Sequence, residues 1–338
     1  MKKAMKMTLW IMGSLIAAAV LFILYQNDYE MTEKSVRIET PQGILTGTLV
    51  LPEEYSGKVG LVVFVHGDGP VNADHEEGYR PLWEVLATNG YASLSLNKPG
   101  IGGAPGNWLD QSMEDRAQEI QYAIEWAQTL SMVDADNIGL WGASQAGWVI
   151  PKVVRENRHI AFSILVSPAI NWITQGQFNT MEEMKQAGIS TQEIIQKEKY
   201  NQQVLNLLKA GASYKEYLSI ADPEHLITEE RWTFISKNVQ SDATAELTYF
   251  NSPVLLVLGG KDINVDVEET EQVYRKEISA GLLTVVKIPE ADHSMMNKPL
   301  ADSQLLTVMT ALFAPGKLTN SEYLNSISGF VTQQKADR

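Results

Sequence analysis

The sequence predicts an α/β protein with a mostly parallel, doubly wound sheet and a helical insertion. Three observations carry that expectation. Apolar runs that fit buried strands (Gly60–Val65, Tyr91–Leu96, Ile138–Trp141, Ile160–Val166, Pro253–Leu258 and Leu282–Ile288) alternate with stretches of helical periodicity, the signature of parallel βαβ units. Between Pro168 and Pro253 this rhythm stops, and residues 169–252 show helical periodicity instead. Small or polar residues follow several of the runs, as in His66-Gly67-Asp68-Gly69-Pro70 and Gly259-Gly260-Lys261-Asp262, at the carboxyl ends of strands where open α/β sheets bind ligands.

Taken in order, Glu33–Thr40 and Ile44–Leu51 flank Pro41-Gln42-Gly43 and read as a hairpin, because apolar and β-branched residues alternate around a turn signal. In Tyr79–Asn89 the residues Leu82, Trp83, Val85 and Leu86 share one helical face, and Gly90 marks the stop. Asn97-Lys98-Pro99-Gly100-Ile101-Gly102-Gly103 is Gly-rich, but Pro99 and the lack of a helix directly after it argue against a dinucleotide site. Met113–Leu130 repeats Ala117, Ile120, Ala123, Ile124 and Ala127 at helical spacing, with Ser112 as N-cap and Asp115 three residues on. Within the insertion, Gln192–Leu208 and Glu229–Lys237 are helical stretches broken near Gly211 and Asp222-Pro223. Val265–Ser279 and Pro299–Phe313 read as the last two helices, and residues 316–338 as a polar tail.

Composition narrows the function. A chain of 338 residues with 20% charged and 44% apolar residues has the balance of a globular domain rather than a disordered one. The net charge of -14 excludes nucleic acid as an expected partner, since phosphate binding needs clustered Lys and Arg. There is no Cys, hence no disulfide, no thiolate nucleophile, no Cys-based metal site and no lipidated Cys.

Lys2, Lys3 and Lys6 precede 21 uncharged, mostly apolar residues, Met7 to Asn27, and Asp28, Glu30 and Glu33 follow them. At about 1.5 Å per residue such a helix is roughly 30 Å long, the thickness of a bilayer core. Residues 1–27 are therefore expected to form a transmembrane anchor, with the positive N-terminus inside and the remainder outside. The rival is a signal peptide cut near Ala17-Ala18-Ala19, which would leave an apolar mature N-terminus and a secreted protein.

The stretch Asn137–Ile150 carries most of the chemistry. Ile138–Trp141 runs into Gly142-Ala143-Ser144-Gln145-Ala146-Gly147 and then into a helix-like segment. This is the layout of a nucleophile elbow, in which a serine on a tight strand-to-helix turn needs small residues two before and two after it. Ala146 departs from the usual glycine, and an ordinary β–α turn is the alternative. Upstream, His66-Gly67-Asp68-Gly69-Pro70 is a Gly-rich loop whose N–H groups could face an oxyanion. Downstream, Asp262 and His293 each follow a strand run, so the order is Ser144, Asp262, His293. At these residues, and over about Ser35 to Pro315, the chain resembles the α/β-hydrolases, in their bacterial esterase and peptidase-like branch.

The resemblance implies a serine hydrolase with the α/β-hydrolase fold, residues 33–168 and 253–315 forming the hydrolase domain and 169–252 a cap. Ser144 would be the nucleophile, His293 the base and Asp262 its orienting acid, with the backbone N–H groups of Gln145 and Asp68 as the oxyanion hole. Asp266 and Asp292 compete for the acid role, but a neighbour such as Asp292 cannot easily orient the adjacent ring. The Asp68 carboxylate would oppose the oxyanion if it faced inward, so it is expected to point outward or to be tied to a basic or N–H partner. The other histidines have other expectations: His66 supporting its loop, His75 on a solvated loop rather than in a metal site, His159 on the surface and His225 in the cap. Trp172, Phe178, Tyr200, Tyr214, Trp232 and Phe234 could line an acyl pocket or simply pack the cap. No cofactor, metal or protein partner is expected. The expected substrate is a small or medium carboxylic ester. The alternatives are a peptidase or amidase using the cap pairs Glu182-Glu183 or Glu229-Glu230, and a binding protein that keeps the fold without turnover.

Overall fold

The computed structural model describes residues 2–336 apart from Glu224, with the side chains of residues 2–6, 8 and 9 outside the description. Among the described residues the strands are β1 (Met31–Thr40), β2 (Gly43–Pro52), β3 (Val59–Val65), β4 (Tyr91–Leu96), β5 (Val133–Ala143), β6 (Ser163–Val166), β7 (Val254–Gly259) and β8 (Leu283–Ile288). They form one sheet in the order β1-β2-β4-β3-β5-β6-β7-β8. The first two pairings, β1 with β2 and β2 with β4, are antiparallel, and the rest are parallel. Every residue of β3, β4, β6 and β7 is buried. That is why these strands read as continuous apolar runs and not as alternations: helices cover both faces.

Helices α2 (Arg80–Thr88) and α3 (Met113–Gln128) follow β3 and β4. The first has Pro81 in its opening turn, where its fixed φ and missing N–H suit a helix start. The second is closed by a reciprocal capping box between Ser112 and Asp115 and buries Ala117, Ile120, Ala123, Ile124 and Ala127. After β5, the serine turn is a 3-10 segment, Ser144–Trp148, and α4 (Ile150–Glu156) starts only beyond it. The helix-like segment expected after the elbow thus becomes regular α-helix only from Ile150. Likewise β6 begins at Ser163 and not at Ile160.

The cap consists of α5 (Trp172–Gln186), α6 (Thr191–Lys209), α7 (Tyr214–Leu218) and α8 (Glu229–Asn238). Ser190, Ser213 and Thr228 cap the last three through N–H bonds to their hydroxyls. Helix α9 (Val267–Glu277) then links β7 to β8.

The C-terminal expectation is corrected. Pro299–Phe313 divides into α10 (Lys298–Ala301) and α11 (Gln304–Phe313), and neither packs on the sheet. Residues 316–338, read as a polar tail, contain α12 (Ser321–Ala336), which packs against α2 and β8. Tyr323, Ile327, Phe330 and Val331 lie at helical spacing on one face and are buried with Leu82, Trp83 and Leu86 of α2. The polar majority of the segment hid that stripe.

At the other end, α1 (Lys2–Gln26) occupies the stretch expected to anchor the chain, and Trp10, Leu15, Leu21 and Leu24 are exposed. Among the described residues no helix is long and apolar enough to cross a membrane. The side chains of Lys2, Lys3 and Lys6, on which the expected orientation rested, lie outside the described residues.

If α12 closes the core, Ile327→Ala should lower the stability to unfolding by about 2–5 kcal/mol. Urea denaturation measures this, and a loss below about 0.5 kcal/mol, the range of surface substitutions, would return the segment to a tail.

Candidate functional site

The chain leaves β3 to pair β4 on one side and later returns to pair β5 on the other. The crevice beyond the carboxyl ends of β3 and β5 is therefore the topological switch point of the sheet. Both the His66 loop and the serine turn open there.

Ser144 has φ +55°, a left-handed backbone that a residue with a Cβ rarely adopts. The neighbours show how the turn is held. A Cβ on Gly142 would lie 2.5 Å from the Ala146 Cβ and 2.9 Å from the Val65 carbonyl oxygen. Positions 142 and 146 thus face each other, and because 142 is glycine, 146 can be alanine. A Cβ on Gly147 would sit 2.4 Å from the Ala169 oxygen, so glycine is required at 147, where the turn meets the loop after β6. Trp148 donates its indole N–H to the Ile170 oxygen at 2.8 Å and stacks on Trp172 at the start of the cap.

On the loops after β7 and β8, His293 Nδ1 and Asp262 Oδ2 are 2.8 Å apart, and the Asp262 side chain is fully buried. Its other oxygen accepts from the backbone N–H groups of Asn264 (2.8 Å) and Val265 (3.0 Å). A carboxylate so held favours the tautomer with the proton on Nδ1, leaving Nε2 as an acceptor. The two competing aspartates are occupied elsewhere. Asp266 caps α9, and Asp292 accepts from Ser294 N and Met296 N in its own loop. Ser144 and His293 line one cavity of about 330 Å³. No Ser144 Oγ hydrogen bond is formed among the described residues, as is common before a substrate is bound.

The oxyanion candidates come together as well. Gly67 abuts the serine: a Cβ there would be 3.4 Å from the Ser144 Cβ. Asp68 lines the cavity, and its carboxylate takes a two-pronged contact from Arg231 of α8, at 3.0 and 2.5 Å. Burial works to raise the Asp68 pKa, but the hydrogen bonds and charge of Arg231 outweigh it and hold the carboxyl below its ordinary value. The carboxylate is therefore tied to a basic partner. Gln145 Nε2 adds a third contact, at 3.1 Å.

Beneath the loop lie two buried cations that sequence reasoning did not assign. Lys98 Nζ donates to the carbonyls of Gly67 (2.6 Å) and Gly69 (2.8 Å), and burial depresses its pKa far below that of an ordinary lysine. Arg116 donates to the His66 carbonyl at 2.5 Å and, more closely, to the Gln145 side-chain oxygen; burial lowers its pKa to about 10. One signal was available for Arg116, which falls on the apolar face of α3 beside Met113, Ala117 and Ile120. Lys98 carried none, since its loop looked like a simple turn.

His66 is buried between the Tyr79 hydroxyl (3.0 Å) and the Leu96 carbonyl (2.6 Å). Burial lowers its pKa to about 3, so it stays neutral and supports the loop. His75 lines the cavity mouth and packs against Tyr79, while His159 and His225 are exposed and lie outside the cavity. Among the described residues no group of His, Asp or Glu is arranged to hold a metal ion. Two other sizeable cavities, of about 390 and 410 Å³, contain none of Ser144, Asp262 or His293.

The cavity wall is formed by Leu82, Trp141, Val166, Met295 and Tyr323, not by the cap aromatics. Several of those pack within the cap or join it to the sheet domain: Trp232 stacks on Tyr217, Phe234 meets Trp108 edge to face, and Trp172 stacks on Trp148.

Comparison with known proteins agrees with this architecture. An uncharacterized protein of Rickettsia prowazekii (strain Madrid E) is 24% identical over 139 residues, which are 41% of this chain and 57% of that protein, a little over half its length. Among solved structures, the Pyrococcus furiosus esterase Pf2001 superposes with a TM-score of 0.57 at 16% identity, over 90% of this chain and 91% of that one. Est1E from Butyrivibrio proteoclasticus gives 0.54 at 16% identity, over 89% and 99%. At such identity the likeness shows the fold, which is that of the α/β-hydrolases. The sequence profile of the serine aminopeptidase S33 family matches residues 57–299, well over half of the chain, and the protein belongs to that hydrolase family.

Proposed function

We propose that this protein is a serine hydrolase that cleaves carboxylic esters of small or medium acyl groups through an acyl-enzyme. The observation that carries the reading is the left-handed Ser144 in a cavity shared with His293, whose ring is paired to the buried Asp262 at 2.8 Å. In acylation, Ser144 Oγ bonds to the carbonyl carbon while its proton passes to His293 Nε2. The ester C–O bond then breaks, and that proton leaves with the alcohol. Water repeats the sequence to free the acid and the serine. The backbone N–H groups of Gln145 and Asp68 meet the oxyanion. The cavity of about 330 Å³, walled by Leu82, Val166 and Met295, suits an acyl group of modest size.

A second reading, aminopeptidase or amidase, is favoured by the family's description. Against it, Glu182, Glu183, Glu229 and Glu230 do not line the cavity, and Asp68, the one carboxylate among the described residues that line it, is already paired with Arg231. A binding protein without turnover has no use for a buried carboxylate orienting a histidine towards a strained serine.

Membrane attachment with the catalytic domain outside is the second part of the proposal. Two features support it. The sequence from Met7 to Asn27 is uncharged, and α11, which adjoins α1, exposes Leu305, Leu306, Met309 and Leu312 and has no charged residue. A ten-residue exposed apolar helix has the length of an interfacial segment.

Ser144→Ala and His293→Ala should each remove nearly all turnover of a p-nitrophenyl ester and leave the fold intact, and the double variant should fall no further, because the pair acts as a unit. A fluorophosphonate probe should label wild type at Ser144. Turnover of aminoacyl-anilides well above that of esters would give the second reading precedence.

For the oxyanion assignment, Asp68→Asn retains the backbone N–H and should stay within about tenfold of wild type, whereas Asp68→Pro removes it and should lose about a hundredfold or more with its circular dichroism unchanged. Equal large losses would assign the carboxylate itself an essential part. For attachment, the protein should sediment with membranes and be cut by protease added to intact cells lacking a wall. Full protection, or a soluble form beginning near Val20, would refute it.

A further inference from the structure

We propose that Arg231, carried by the cap, is a positioning residue for the oxyanion loop, so that the cap supplies part of the acyl-transfer geometry and does more than cover it. The inference rests on the serine-hydrolase reading above.

Arg231 sits in the first turn of α8, where its backbone N–H is fixed by the Thr228 hydroxyl at 3.1 Å. Its guanidinium lies 5.0 Å from the Phe234 ring centre and 5.7 Å from that of Trp108, contacts that hold the side chain on course towards the loop. At its end the fork takes both Asp68 oxygens, a planar match that lysine cannot reproduce. This ion pair is partly exposed, with 28% and 42% of the two side chains accessible. It is therefore a weak contributor to global stability. Its consequence is local.

The loop is gripped on two sides. From below, Lys98 and Arg116 engage the carbonyls of His66, Gly67 and Gly69, and bonds to these oxygens fix the peptide planes of the loop. From above, Arg231 and Gln145 take the Asp68 carboxylate. Gln145 in turn accepts from Arg116, so one chain of contacts, Arg231–Asp68–Gln145–Arg116, passes through both residues whose N–H groups face the oxyanion. Without Arg231, a carboxylate stripped of its paired counter-charge would border the place where negative charge develops, and its field would oppose the transition state. The buried cations would still hold the loop carbonyls, so the loop should keep its fold while losing catalytic power.

The test is a double-mutant cycle on the full-length protein, reading kcat and KM for a p-nitrophenyl ester, the thermal midpoint, and labelling of Ser144 by a fluorophosphonate. Arg231→Gln should lower kcat about tenfold or more, with KM changed less than about threefold and the midpoint nearly unmoved. Arg231→Lys should recover only part of the loss. Adding Asp68→Asn to Arg231→Gln should regain at least about fivefold in kcat, since no charge then remains to be neutralised. An Arg231→Gln kcat equal to wild type overturns the proposal. So does a loss that Asp68→Asn fails to rescue, or one that accompanies a collapse of the thermal midpoint, because the arginine would then act by holding the cap together. Labelling separates the two levels: a wild type that neither labels nor turns over refutes the hydrolase reading itself, whereas labelled wild type and variant with equal turnover refute Arg231 alone.

Discussion

The structure depends on one close approach, where the turn after β5 brings a left-handed serine against the loop after β3 and the loop after β6. Gly142 faces both Ala146 and the Val65 carbonyl, Gly147 faces Ala169, and Gly67 faces Ser144 itself. Any side chain at these points would push apart segments that carry Ser144, the His66 loop and the first residues of the cap. The strain at Ser144 is sustained because the elements around it are deeply buried. β3, β6 and β7 have every residue inside, and together they over-determine the turn.

Two buried cations, Lys98 and Arg116, lie under the loop that follows β3. Buried cations are costly unless their hydrogen-bonding capacity is met, and Lys98 and Arg116 meet it with backbone carbonyls and the Gln145 amide, not with facing carboxylates. The charges of Glu119 and Asp68 also act on both cations. The carbonyls of the loop are thereby held from below. On the upper side, the cap arginine answers Asp68.

Three helices stand where the sequence suggested one helix and a polar tail. The segment after His293 sends α10 and α11 away from the sheet, then returns through the bridge between Met296 and Thr319 so that α12 can complete the core. Met295, Thr319 and Tyr323 at the base of this excursion line the cavity that holds Ser144. The walls of this cavity therefore come from the C-terminal return, α2 and the ends of β5 and β6, and the cap meets it through the pairing of Arg231 with Asp68. Helix α5 ties the cap to the Asp262 loop, with Gln175 donating to the Asn264 carbonyl.

The sequence by itself determined the alternation of elements, the order Ser144, Asp262, His293 and the interruption by a cap, because each is written in local pattern: strand runs, helical spacing and small residues at a turn. It also led to the expectation that Asp68 would either point outward or be tied to a basic or N–H partner. Which partner was beyond it, since Arg231 is 163 positions away and only the folding of the cap over the loop joins them. The choice of Asp262 over Asp266 and Asp292 was argued from chain position and became visible as geometry only when the loops after β7 and β8 met. The burial of α12 escaped because four apolar residues among polar ones make a stripe only if a partner face exists, and α2 and the sheet provide it. The cavity wall was likewise unreadable. Leu82, Met295 and Tyr323 are ordinary core residues in sequence, and only tertiary packing sets them around the serine.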